Sequence, residues 1–187
     1  IPSTVPGDAG NVIYGGAGDD RISAGSGNDV AHGDADDDRL SGQGGYDTLY
    51  GDDGNDQIEG DGPHISGYIE STPGDQQGND LLIGANGADT IWGDGGDDAL
   101  YGGDDDDRLE GDDHDEKVTP VEYHGNDVLS GGAGADQLVG NGKDDQLSGG
   151  NGNDSLWGDD QLSMLDGKYH GRDLPAWADA VVASELY

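Results

Sequence analysis

The sequence predicts an all-β fold: a flattened solenoid of short parallel strands, with two nonapeptides in each coil. Three observations carry that reading. From Gly15 the chain repeats every nine residues as G-G-x-G-x-D-x-U-x, where U is a large aliphatic. Position six is Asp in all eleven complete blocks, and position eight is Ile or Leu in all but one, where it is Ala31. The 187 residues include 38 Gly, and 42 acids stand against 7 Lys and Arg, a net charge of -35. A chain so anionic and so poor in apolar side chains repels itself and stays unfolded unless cations neutralise it.

Each block divides into turn and strand. The first six positions are turn chemistry, with Gly permitting positive φ and Asp or Asn favouring turns. The last three, such as RIS, TLY and TIW, predict a three-residue strand with one side chain inward. A strand that short needs an equivalent neighbour, so copies stack in parallel about 4.8 Å apart. Two such strands and two turns make one coil, and turns of like parity then line up along one edge.

In chain order, residues 1–14 predict a degenerate N-terminal half-coil over an open end, with Asn11 at position six of PGDAGNVIY. Residues 15–173 predict the solenoid. Complete blocks run from Gly15 to Glu59, Gly84 to Glu110 and Gly131 to Trp157. Between them the repeat breaks after position two, with insertions at 62–77, 113–124 and 160–170. The split blocks are numbers six, ten and fourteen, all even, so all three insertions are expected on one edge. The odd edge should then carry Asp20, Asp38, Asp56, Asp89, Asp107, Asp136 and Asp154. The even edge should carry Asp29, Asp47, Asp80, Asp98, Asp127, Asp145 and Asp173. Residues 174–187 leave the pattern, and PAWADAVVASELY, with Pro in its first turn, predicts a short helix that caps the last coil. A secretion signal or an added tail is the alternative for this segment. With no initiator Met and no signal-peptide pattern at its start, the sequence reads as a piece of something longer.

A column of carboxylates and turn carbonyls is a hard-oxygen environment. It suits Ca²⁺, which takes roughly 6–8 oxygen ligands, better than Mg²⁺, which dehydrates reluctantly. Zn²⁺ would want His or Cys, and the repeat has no Cys and only His32. No stretch has EF-hand spacing. One ion between successive turns on each edge gives on the order of a dozen sites, with affinities of roughly 10⁻⁴–10⁻³ M. The ion must be structural. One buried Ile or Leu per block contributes about 2–3 kcal/mol, far below the entropy lost on ordering nine Gly-rich residues.

The weakest sites are expected where Asp36 and Asp105 replace Gly, and where Lys143 sets a cation beside the column. The insertions hold His64, Tyr68, His114, Tyr123, His124, Tyr169 and His170. These residues either form a ligand site shared by neighbouring loops or pack the loop bases onto adjacent turns. Tyr14, Tyr50, Trp92, Tyr101 and Trp157 stand at the outward position nine, where aromatics on a flat face can stack on sugar rings.

The composition excludes much. The charge argues against nucleic acid and anionic membrane as partners. No apolar run is long enough to span a bilayer, and the absence of Cys excludes disulfides. There is no H-E-x-x-H, no G-x-S-x-G and no phosphate loop, so no catalytic constellation is present.

With these nonapeptides, the segment Gly15–Asp173 resembles the hemolysin-type, or RTX, calcium-binding family. The resemblance implies a right-handed parallel β-roll, with ions held between adjacent turns by the position-six Asp side chains and turn carbonyls. It also implies a module exported unfolded by type I secretion machinery, folding in extracellular calcium; a monomer is the expected state. Such repeats accompany toxins, proteases, lipases, epimerases and adhesins, so they do not name the parent protein. An adhesion or carbohydrate-binding module, or an accessory module of a secreted enzyme, is the competing expectation.

Overall fold

The computed structural model describes residues 9–61, 76–112 and 121–158. In chain order the strands are β1 Val12–Ala17, β2 Arg21–Ser26, β3 Val30–Ala35, β4 Arg39–Gly44, β5 Thr48–Asp53, β6 Gln57–Glu59 and β7 Leu81–Asn86. They continue as β8 Thr90–Asp94, β9 Ala99–Asp104, β10 Arg108–Asp112, β11 Val128–Ala133, β12 Gln137–Val139, β13 Gln146–Asn151 and β14 Ser155–Trp157. Odd strands form one seven-stranded parallel sheet and even strands form a second, each strand beside those two places away in sequence. This is the two-nonapeptide coil of a parallel β-roll. The described residues contain no helix. The expected C-terminal cap at residues 174–187 lies outside them.

Most strands are longer than three residues, although β6, β12 and β14 keep that length. Most span six, joining the last three positions of one block to the first three of the next. The reason is the ladder itself. Positions one to three also have register partners on the adjoining coil, as Gly16 with Asp34 and Ala17 with Ala35, so their peptide groups need no separate turn. Glycine is wanted at positions two and four because the backbone there is left-handed, with φ 107° at Gly16 and 103° at Gly18. Non-glycine residues are forced into the same conformation: Asp36 has φ 79°, Asp105 77°, Ala85 89° and Lys143 68°. The turn thus tolerates the irregular blocks without changing shape.

The core is position eight and little else. Ile22, Ala31, Leu40, Leu49, Ile58, Leu82, Ile91, Leu100, Leu109, Leu129 and Leu138 are buried in one cluster, with Ile13, Leu147 and Leu156 packed against it. Ile13 belongs to the incomplete first block, so the half-match at Pro6–Tyr14 does place its aliphatic and its strand in phase.

Coil length is 18 residues where the repeat is unbroken, as Val12 with Val30. It becomes 33 across the first insertion, Thr48 with Leu81, and 29 across the second, Val128 with Ala99. The ladder resumes in phase each time. Both insertions connect an even strand to the following odd one, β6 to β7 and β10 to β11, and so leave the same edge.

Two substitutions separate core from turn. Leu82→Ala is expected to lose about 2–5 kcal/mol in urea unfolding with calcium present, since the thin core cannot refill the space. Lys143→Gly is expected to gain about 1 kcal/mol by relieving the left-handed backbone; an unchanged midpoint would count against that strain.

Candidate metal centre

Position six builds both edges. Asp20 donates its main-chain N–H to Asp38 Oδ1 at 2.7 Å, and the same bond runs on through Asp56, Asp89, Asp107, Asp136 and Asp154 at 2.8–3.1 Å. On the other edge it links Asp29, Asp47, Asp80, Asp98, Asp127 and Asp145 at 2.7–2.9 Å. The odd and even columns are therefore separate and continuous past the insertions. Asn11 heads the even column, donating its N–H to Asp29 Oδ1.

The second oxygen of each carboxylate is different. Oδ2 is buried and meets no hydrogen-bond donor in Asp20, Asp29, Asp38, Asp47, Asp56, Asp80, Asp89, Asp98, Asp107, Asp127, Asp136 and Asp154. A carbonyl oxygen of the next coil faces the same space. Beside Gly33, an added Cβ would lie 2.3 Å from Asp38 Oδ2 and 2.7 Å from Gly51 O. Glycine at position one thus answers to close approach, not to positive φ as the turn chemistry suggested; among the complete blocks only 24–32 departs, with the smallest side chain, Ala24, buried there. Two acceptors that converge with no donor between them fit a cation. Among the described residues no three His, Cys, Asp or Glu side chains gather as a metal-binding group. Each cage would accordingly be one or two carboxylates completed by main-chain carbonyls, the donor set a hard cation prefers.

Burial sets the electrostatics. Desolvation pushes Asp47 and Asp56 up to about 6, and Asp89 and Asp107 up to about 7, against an ordinary 3.8. The main-chain N–H bond to each partly offsets this, and neighbouring carboxylates add to it. Asp80, Asp98 and Asp127 are raised too, by burial first. The Lys143 cation acts in the opposite sense on Asp127, as a partial countercharge beside the column.

Sequence reasoning missed a second ladder. Position-five side chains bond to the N–H of the same position one coil on, as Asp37 Oδ1 to Asn55 N–H at 2.9 Å and Asn55 Oδ1 to Ala88 N–H at 2.9 Å. The recurrence of Asn and Asp at that position was its signal. It also missed buried acids beside the even edge, Glu59, Asp61, Asp94, Glu110 and Asp112. They break no motif rule, so only packing reveals them.

Of the loop residues, Tyr123 and His124 are described; His64, Tyr68, His114, Tyr169 and His170, with Asp173 of the column, lie outside the described residues. Tyr123 O accepts the Gly96 N–H at 3.0 Å. His124 is buried, with Nδ1 3.8 Å from Asp112 Oδ2, and it fills the space over Gly142. His124 thus packs the loop base onto an adjacent turn, and Tyr123 is tied to one through its main-chain carbonyl.

The position-nine aromatics do not share a face. Tyr14, Tyr50 and Tyr101 are on the odd sheet, and Trp92 and Trp157 are on the even one. His32 is stacked between Tyr14 and Tyr50 at centroid distances of 5.2 and 4.3 Å. The stack occupies both faces of His32, while Tyr14 and Tyr101 remain exposed, so the aromatics are divided between two sheets rather than gathered on one platform.

The profile of the RTX calcium-binding nonapeptide repeat (4 copies) matches residues 7–40, 32–62, 76–115, 124–142 and 130–161. These segments cover most of the chain, and the protein belongs to this family of calcium-binding β-roll modules. Comparison with curated proteins gives no match.

The raised carboxyl pKa values fix a pH response in the metal-free state. The folded roll holds protons between about 4 and 7 that the unfolded chain has released, so stability without metal falls as pH rises through that window. In chelator, far-UV circular dichroism should show more strand at pH 5 than at pH 8; the opposite trend would contradict the burial of these groups.

Proposed function

We propose that residues 15–173 fold as one calcium-loaded roll that serves a larger secreted protein, switching from coil to fold when it meets extracellular calcium. The observation that carries this is the file of buried Oδ2 atoms without donors on both edges. Asp20, Asp38, Asp56, Asp89, Asp107, Asp136 and Asp154 would hold ions on the odd edge, and Asp29, Asp47, Asp80, Asp98, Asp127, Asp145 and Asp173 on the even. Bound Ca²⁺ supplies positive charge between coils, cancelling carboxylate repulsion and drawing the turn carbonyls together. Six column steps on the odd edge and five on the even are described. A step from Asp145 to Asp173 would bring the total to about a dozen ions at one per step.

The role is structural and not catalytic, and the module works as a monomer. Export through a type I secretion channel accords with it, because a chain that stays unfolded at low calcium can be threaded. Residues 174–187 would then cover the last coil. No helix among the described residues is long and apolar enough to cross a membrane.

Calcium titration followed by far-UV circular dichroism tests the proposal. A cooperative coil-to-strand transition near millimolar calcium, absent with magnesium and reversed by chelator, is expected; a complete roll in chelator at neutral pH would refute it. Asp89→Ala should raise the calcium midpoint and lower cooperativity. His124→Ala, at a loop base outside the columns, should retain the wild-type cooperativity.

A further inference from the structure

The even edge carries a second file of acids that the nonapeptide does not explain. Position two of successive even blocks stacks as Gln43, Asp61, Asp94, Asp112 and Asn141. Gln43 N–H donates to Gly60 O, Asp94 is in register with Asp112, and Asp112 N–H donates to Gly140 O. Asp61, Asp94 and Asp112 are each no more than 1% exposed. Acids at the same position on the odd edge, Asp34 and Asp52, remain partly exposed.

Asp61 and Asp112 do equivalent work at the two insertions, yet their surroundings differ. Each accepts the N–H of the glycine at which the repeat resumes, closing the neck of the loop. Asp112 does so with both oxygens, at 3.0 and 3.2 Å from Gly125 N, and has the His124 imidazole 3.8 Å away. Asp61 uses only Oδ2, at 2.8 Å from Gly78 N. Its Oδ1 is buried and meets no donor. The residue before the resuming glycine is here Gln77, so no imidazole takes the place of His124. The charges that bear most on Asp61 are other carboxylates, Asp80 first, then Asp94 and Asp47.

Asp80 has the matching deficiency. Its Oδ2 is buried without a donor and faces Gly60, the residue before Asp61; a Cβ added there would lie 2.4 Å from it and 2.5 Å from Gly93 O. One turn therefore brings together two buried carboxylates, each with an oxygen that no proton donor reaches, and a carbonyl of the next coil. With both carboxylates ionised no hydrogen bond satisfies that set; a shared proton would serve the two carboxyl oxygens and leave the carbonyl, whereas a divalent cation can meet all three.

We propose that Asp61 and Asp80 share one Ca²⁺ at the base of the first insertion, giving this coil two carboxylates where the repeat supplies one. The assignment rests on the calcium reading above. Ligand charge raises affinity for Ca²⁺, so this ion is the last to leave the roll, and it ties the start of the insertion to its end.

The test uses the full chain and calcium alone. Asp61→Asn keeps an acceptor for Gly78 N–H and removes only the charge. Calcium-loaded protein is mixed with a fluorescent chelator, and the release phases are counted. Wild type should show a slowest phase of about one ion per chain; Asp61→Asn should lose it or release it about tenfold faster, and should need more calcium to fold. Asp61→Glu and Asp112→Asn should both keep the slow phase. If Asp61→Asn fails to fold in saturating calcium while Asp61→Glu folds, the charge is again what the site requires. Folding of Asp61→Asn at equal or lower calcium, or an unaltered slow phase, would overturn the assignment and show Asp61 to be a repulsive burden. A wild type that takes up no calcium would instead defeat the reading of the whole module.

Discussion

Equal charges stacked at the spacing of β-strands dominate this protein. A carboxylate recurs at the same point of every turn, about 4.8 Å above and below its neighbours. Its first oxygen has a partner, the main-chain N–H of the preceding coil, and that bond fixes where the carboxylate sits. It does not remove the charge. The second oxygen is held in a dry space with a carbonyl for company. The fold thus positions its acids with great regularity while leaving the decisive half of each one unsatisfied. Either protons or metal ions must complete it, and the raised carboxyl pKa values and the fit to a hard cation are two views of that deficiency.

The remaining architecture follows from it. Glycine at position one admits the carboxylate and the carbonyl of the next coil to one small space; glycine at positions two and four lets the chain reverse around them. A strand of six residues is long enough to set two turns on opposite edges and too short to supply a broad apolar face. What remains for the interior is one aliphatic per block, from Ile13 to Leu156. Leucine and isoleucine supply what apolar cohesion the roll has, and Ala31 stays in register with Ile13 and Leu49 without a large side chain.

Much of this was legible in the residues because a strict repeat turns sequence phase into spatial position. Parity alone separated Asp20, Asp38 and Asp56 from Asp29 and Asp47, and placed on one edge the two insertions whose flanking strands are described. Asn11 was recognisable as a position-six residue before the first complete block. Strand length was not legible, because Gly-Gly-x reads as turn while its peptide groups are paired in the ladder. Nor was the stacking of His32 between two tyrosines, which depends on residues 18 apart coming into contact. The buried acids at Asp61, Asp94 and Asp112 were the least visible. Position two accepts many residues, and nothing in an acidic sequence marks one more Asp as enclosed.

The position-six ladder also has a sense. Each coil offers its N–H toward the coil that follows and its Oδ1 toward the coil before, so the two ends of the stack are chemically unlike. The C-terminal end presents donors that water can serve and that the next aspartate can claim at once. The N-terminal end presents carboxylates stripped of their donors, which is why Asn11 lends its N–H to Asp29. The ladder is therefore polar, its donors and acceptors running in one sense with the chain from amino to carboxyl end. A stack cut at the front exposes acceptors and one cut at the back exposes donors, so the two faces call for caps of opposite chemistry.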